Sequence, residues 1–190
     1  MRRIAVAALA LTLLAPLATA KDAAELLRLR AFAVDMNNGA RTGTIDIVIE
    51  RWSTPEEAES LKAVLVEKGE DRLLSALQKV RPRCGYARTS TSLGWDIYYA
   101  REISQPDGSR RILLATDRPV GMWEARNSGR SMDYQFSLAE IRLPKDGKGV
   151  GKAIPRAQLT FDPDKKTLEI ENYQREPVRL NEVTVIPPKS

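Results

Sequence analysis

The sequence contains no histidine. That single absence excludes a Ser-His-Asp triad, a Cys-His pair and every metal site that relies on imidazole. Cysteine is almost as scarce. Cys84 stands alone, so no disulfide can form within the chain, and stability has to come from buried apolar surface instead of a covalent staple. An odd thiol in an exported chain means pairing between chains or a free sulfhydryl. Long apolar runs are missing after residue 20, so no later segment suits a membrane-crossing helix. Charge of one sign is not gathered anywhere either; basic residues sit among acids in small groups such as Arg110-Arg111 and Lys165-Lys166. A nucleic-acid groove needs a one-sided basic stripe with aromatics beside it, so nucleic acid is not an expected partner.

What is present begins with an export signal. MRRIAVAALALTLLAPLATA combines Arg2 and Arg3, an apolar run from Ile4 to Leu14, a break at Pro16 and the small residues Ala18-Thr19-Ala20. This is the pattern of a cleaved signal peptide over residues 1–20, leaving a single β-rich domain over 21–190. Lys21 stands where a lipoprotein would carry cysteine. The expectation is a soluble chain without lipid anchor or membrane span, exported to the periplasm or the outside medium. Losing Arg2 and Arg3 leaves 28 basic residues against 25 acids, so much of the overall charge of +5 belongs to the leader.

Beyond the leader the chain alternates in two-residue steps. In TGTIDIVIERW, Ile45, Ile47 and Ile49 share one face, the mark of a half-buried strand. LRLRAFAV precedes it across Asn37-Asn38-Gly39, a tight-turn signal. Residues 54–80 change period. Thr54-Pro55-Glu56-Glu57 supplies a capping box with proline at the first helical position, and Ala58, Leu61, Val64 and Leu65 follow at helical spacing. Gly69 ends that run, and Leu73, Leu74, Leu77 and Val80 mark a second helix before Pro82.

Alternation then returns. Leu93, Trp95, Ile97, Tyr99 and Ile103 line one face of a strand, and Pro106-Asp107-Gly108 turns it into RRILLAT. MDYQFSLAEIRL, AIPRAQLTFD, TLEIENY and PVRLNEVTVI complete the set, with Asp162-Pro163-Asp164 as a turn. Within MDYQFSLAEIRL the apolar face moves from Tyr134, Phe136 and Leu138 to Ile141 and Leu143, for which a bulge is the simplest cause. The expected fold class is mainly β (α+β): an antiparallel β-barrel or two-layer β-sandwich of about nine short strands, with an inserted helical hairpin.

Cys84 lies in RPRCGYARTSTSLGWDIYYAR, close to Arg81, Arg83 and Arg88, which would lower a thiol's pKa if they faced it. Alternation instead pairs Cys84 with Tyr86 on the packing face and leaves the arginines on the wet side, so Cys84 is expected to fill a core. Gly147-Lys148-Gly149-Val150-Gly151-Lys152 has only three residues between its outer glycines, and Ala153 follows the lysine. A phosphate loop needs four and then Ser or Thr, so a flexible turn is the better reading. Glu102 with Asp107, and Asp162 with Asp164, could suggest acid–base catalysis or calcium, but no run resembles a calcium loop and turn chemistry explains Asp162-Pro163-Asp164; no metal and no cofactor is implied.

ATDRPVGMWEARNSGRSMDY, residues 115–134, is longer than a hairpin turn needs. Arg118, Trp123, Glu124 and Arg126 in it have the composition of a ligand- or partner-binding loop. The plainer reading has Met122 and Trp123 plugging the open end of the sheet while Asp and Arg pair across the loop. Gly85-Tyr86-Ala87-Arg88, Gly94-Trp95-Asp96, Ala115-Thr116-Asp117-Arg118-Pro119 and Met132-Asp133-Tyr134 together resemble a family of small secreted bacterial proteins of unassigned function. The resemblance implies export and a single domain over about Phe32 to Val185, and transfers no site. The functional expectation is an exported binding or interaction protein, partnered by a small apolar or amphipathic ligand or by an envelope protein. Two alternatives stand beside it. One is an envelope-directed enzyme using Asp117, Glu124 or Asp133 as acid or base, with Arg118 or Arg126 holding an anionic group; the other is a structural partner in an envelope assembly.

Overall fold

Among the residues described by a computed structural model (25–37, 41–90, 92, 94–117, 136–162, 167–172 and 176–187), the alternating stretches form nine strands. These are β1 (Leu27–Asp35), β2 (Arg41–Ile49), β3 (Gly85–Thr89), β4 (Trp95–Ser104), β5 (Arg110–Thr116), β6 (Phe136–Leu143), β7 (Gly149–Asp162), β8 (Thr167–Asn172) and β9 (Val178–Ile186). Neighbours run β6-β5-β4-β3-β2-β1-β9-β7, and β6 also pairs with β7. That last pairing, from Phe136 opposite Ala157 to Arg142 opposite Val150, closes the ring and makes a barrel of what could have been a sandwich. Eight antiparallel strands form the barrel and β8 is an extra strand on β7. Eight strands leave an interior that side chains can fill.

Inward positions supply that filling. Leu29, Ile49, Trp95, Ile97, Ile112 and Ile141 are essentially inaccessible, packed with Ala31, Ala33, Val178 and Leu180. A second apolar cluster lies outside the wall, where Tyr98, Phe136, Ala157 and Leu159 meet two helices. These are α1 (Pro55–Lys68) and α2 (Glu70–Leu77), inserted between β2 and β3. The capping box at Thr54 and Glu57 is complete. Gly69 ends α1 and starts α2 at φ +77, a conformation that favours glycine. Leu65, Leu73 and Leu77 are the buried contacts, with Leu61, Val64, Leu74 and Val80 partly covered. Arg51 locks the insertion to the barrel. Its guanidinium donates to both carboxylate oxygens of Glu57, at 2.8 and 3.0 Å, and to the Pro82 carbonyl oxygen at 2.6 and 2.8 Å.

Four sequence expectations need correction. The shift of apolar face in β6 is no bulge in that strand, since β5 and β6 pair without interruption from Thr116–Ser137 to Arg110–Leu143. Strict alternation sends Ile141 and Leu143 inward and Phe136 and Leu138 towards the outer cluster; both faces are apolar because the helices cover the outer one. A register shift does occur opposite, where Ser137 of β6 faces both Pro155 and Arg156 of β7. In β4 a shift between Ile97 and Tyr99 turns Tyr99 out to the helix side, away from Trp95 and Ile97. Cys84 and Tyr86 do not share a face: Cys84 precedes β3 and is fully buried, whereas Tyr86 is half-exposed with Arg83 and Arg88 over its ring. Finally, the glycine-rich segment is mostly strand. Gly149 and Gly151 belong to β7, where a side chain would run into the Arg142 and Glu140 carbonyl oxygens of β6. Only Gly147, at φ +92, serves the turn.

The leader over 1–20, Asn38-Gly39 and Pro163-Asp164 lie outside the described residues. Among the described residues no helix is long and apolar enough to cross a membrane.

One contact between helix and barrel wall is titratable. The Leu159 backbone N–H donates to Glu70 Oε1 at 3.1 Å. Burial, more than the nearby Asp71 charge, raises the Glu70 carboxyl above its ordinary 4.5. Its ionised form is therefore the penalised one. Stability from this group is full below 4.5 and is lost as pH rises through the raised folded value. Glu70→Gln keeps an acceptor oxygen and removes the charge. Melting curves from below pH 4.5 to neutrality should show the variant gaining on the parent as pH rises. A constant offset across the series would contradict this account.

Candidate binding pocket at the barrel rim

The barrel has two unlike ends. At one end the chain leaves β2 for the helical insertion and returns into β3, beside the turns at 105–109 and 144–148; around the other lie the ends of β1, β3 and β5 and the starts of β6 and β9. At this second end Asn37 ties two connections together. Its side-chain amide donates to the Glu176 carbonyl oxygen at 2.9 Å and accepts from the Glu176 N–H at 3.3 Å.

Towards this end the interior filling stops short. A pocket gives about 50 Å³ of room to the centres of water-sized molecules, within about 520 Å³ of atom-free space that includes the open mouth. Its wall is aliphatic, with Ile45, Ile47, Ile97, Leu114 and Leu180 among the large side chains. Where the pocket lies, inward positions on β3, β6 and β7 carry the small side chains of Ala87, Ala139 and Ala153. Thr116 and Ser137 provide the two hydroxyls. Ser137 donates from Oγ to the Pro155 carbonyl oxygen at 2.6 Å, and its N–H donates to Thr116 Oγ1 at 3.2 Å. These bonds bridge the three strands β5, β6 and β7 where the bulge at Pro155 interrupts the ladder.

Arg118, Trp123, Glu124 and Arg126 lie outside the described residues, as do Met122 and Asp133. The connection that carries them leaves the barrel after Thr116 and re-enters at Phe136, at this same rim. Asp117 is described and half-buried. Its charge acts on Tyr98, whose hydroxyl is pushed up first by burial and then by Asp117 and Asp96. The pocket itself was missed by reasoning that looked for charged and aromatic residues. Its signal was alanine at core-facing positions of strands that otherwise carry branched side chains.

Cys84 takes the packing role. It is inaccessible, its Sγ is 3.4 Å from both the Tyr98 carbonyl oxygen and Ser53 Oγ, and burial raises its thiol pKa. Its carbonyl oxygen accepts from the Glu50 and Arg51 N–H groups at 2.8 and 3.1 Å, which turns the chain out of β2. Neighbouring arginines are engaged elsewhere: Arg83 binds Glu50 and Asp96, and Arg81 lies over the Tyr98 ring. A thiol held protonated and covered makes a poor nucleophile. Glu102 pairs with Arg110, and Asp107 accepts from Ser109 in its turn. Among the described residues no three carboxylate or thiol groups converge as a metal cage would require.

No known protein family, curated protein or solved structure matches this chain.

Proposed function

We propose that this chain is an exported soluble binding protein, of the small secreted type its sequence resembles, and that it takes a small apolar or amphipathic ligand at the barrel rim. The observation that supports this most is the apolar pocket in the barrel interior, placed where the long connection after Thr116 begins. Concave apolar sites with a few fixed polar groups are where small molecules bind most often. Arg118, Trp123, Glu124 and Arg126 are the residues assigned to ligand or partner binding, on the composition of their segment.

Native mass spectrometry of gently purified protein, followed by solvent extraction, tests the proposal. A small apolar or amphipathic molecule should accompany the parent and be lost from Ala153→Phe, which fills the pocket. Protein free of such molecules, and not stabilised by any apolar compound added back, would refute ligand carriage.

A further inference from the structure

The pocket limits the shape of what enters it, an argument that rests on the ligand-binding proposal above. Three properties act together. First, the space is small. An apolar cavity of about 150 Å³ holds benzene, and this pocket has about a third of that, 50 Å³. A ring buried wholly within it would have to displace the wall. Second, the wall is unsuited to water. By volume a few waters would enter, but each needs two to four polar partners, and among the described residues the side chains of the lining offer the hydroxyls of Thr116 and Ser137, both already bonded across the strands. Third, among the described residues no charged side chain lines it. An ionised group taken inside would lose its hydration with no countercharge to replace it.

What remains is slim, uncharged and apolar. We infer that the inserted part of the ligand is the methyl end of a single unbranched alkyl chain, with the polar end of the same molecule outside the rim. Ile45, Ile97, Leu114 and Leu180 offer the branched methyl surfaces against which such a chain packs. Pocket depth, not head-group chemistry, then sets affinity for the inserted part. Each methylene that enters contributes about a fourfold gain in binding, until the space is filled.

Calorimetric titration of the full-length protein with straight-chain primary alcohols, set against benzyl alcohol and naphthol, reads this out directly. Affinity should climb about fourfold per added methylene and then level off, and ring compounds should bind at least about tenfold more weakly than chains of equal carbon number. Ala153→Leu or Ala139→Leu, each adding bulk inside the empty space, should flatten the chain-length dependence while the melting temperature holds. Dodecanoate and a lysophospholipid with the same chain distinguish a free chain from one carried on a lipid head group; saturable binding of either supports the inference and names the source. Ring compounds binding as tightly as chains, or affinity indifferent to chain length, would overturn the chain inference and leave the pocket proposal standing. Failure of every compound, with the pocket-filling variants behaving as the parent, would remove both.

Discussion

Gly85→Ala is expected to lower the free energy of unfolding by about 3 kcal/mol, the upper end of what overpacking costs. Gly85 sits between two neighbours, paired with Ile49 of β2 and Ile97 of β4. A methyl group there would overlap the Val48 carbonyl oxygen and press on the Ile49 backbone. Both obstacles are main chain inside a sheet, so neither can rotate away. Gly147→Ala is the control. Its φ of +92 makes alanine uncomfortable, yet nothing lies within 4 Å of the new methyl, so about 1 kcal/mol is expected from the backbone alone. Urea unfolding of the two variants measures the difference. Equal losses would mean that β2 and β3 do not approach as closely as described.

Trp95→Ala should cost about 3–5 kcal/mol, the usual range for emptying a large aromatic site. Trp95 is only 2% exposed and is the largest fully buried side chain among the described residues. It also has a second consequence. Trp95 lies opposite Ala87 and two residues before Ile97, and both of these line the rim pocket. Truncation therefore opens new space beside the existing 50 Å³. A dry cavity of that kind takes up small rings. Added indole should raise the melting temperature of Trp95→Ala and leave the parent unchanged. Stability lost without any response to indole would mean that the wall collapses into the gap.

Much of this architecture was legible in the chain, and the reasons are local. Ile45, Ile47 and Ile49 mark an inward face by period alone, and all three reach the barrel interior. Thr54 and Glu57 announce a helix start because a capping box is satisfied within four residues, without help from the rest of the fold. Cys84 was assigned correctly to packing, though through a wrong partner. Period-2 reasoning placed it with Tyr86, while the chain at Gly85 departs from the alternation and sends the two apart. Tyr99 failed for a related reason: a register shift in β4 costs little locally and leaves no mark in residue type.

Order, period and capping chemistry are properties of neighbours along the chain, and those the sequence determined by itself: nine extended segments, two helices between the second and third, an interior of alternating aliphatic side chains. Closure was beyond its reach. Whether β6 meets β7 depends on summed twist and stagger around eight strands, which no single segment encodes. The same holds for the apolar outer face of β6, apolar because the two helices come to lie over it. It holds above all for the pocket. Ala87, Ala139 and Ala153 are unremarkable in three separate strands, and they become a space only once the ring brings them to the same end of the barrel.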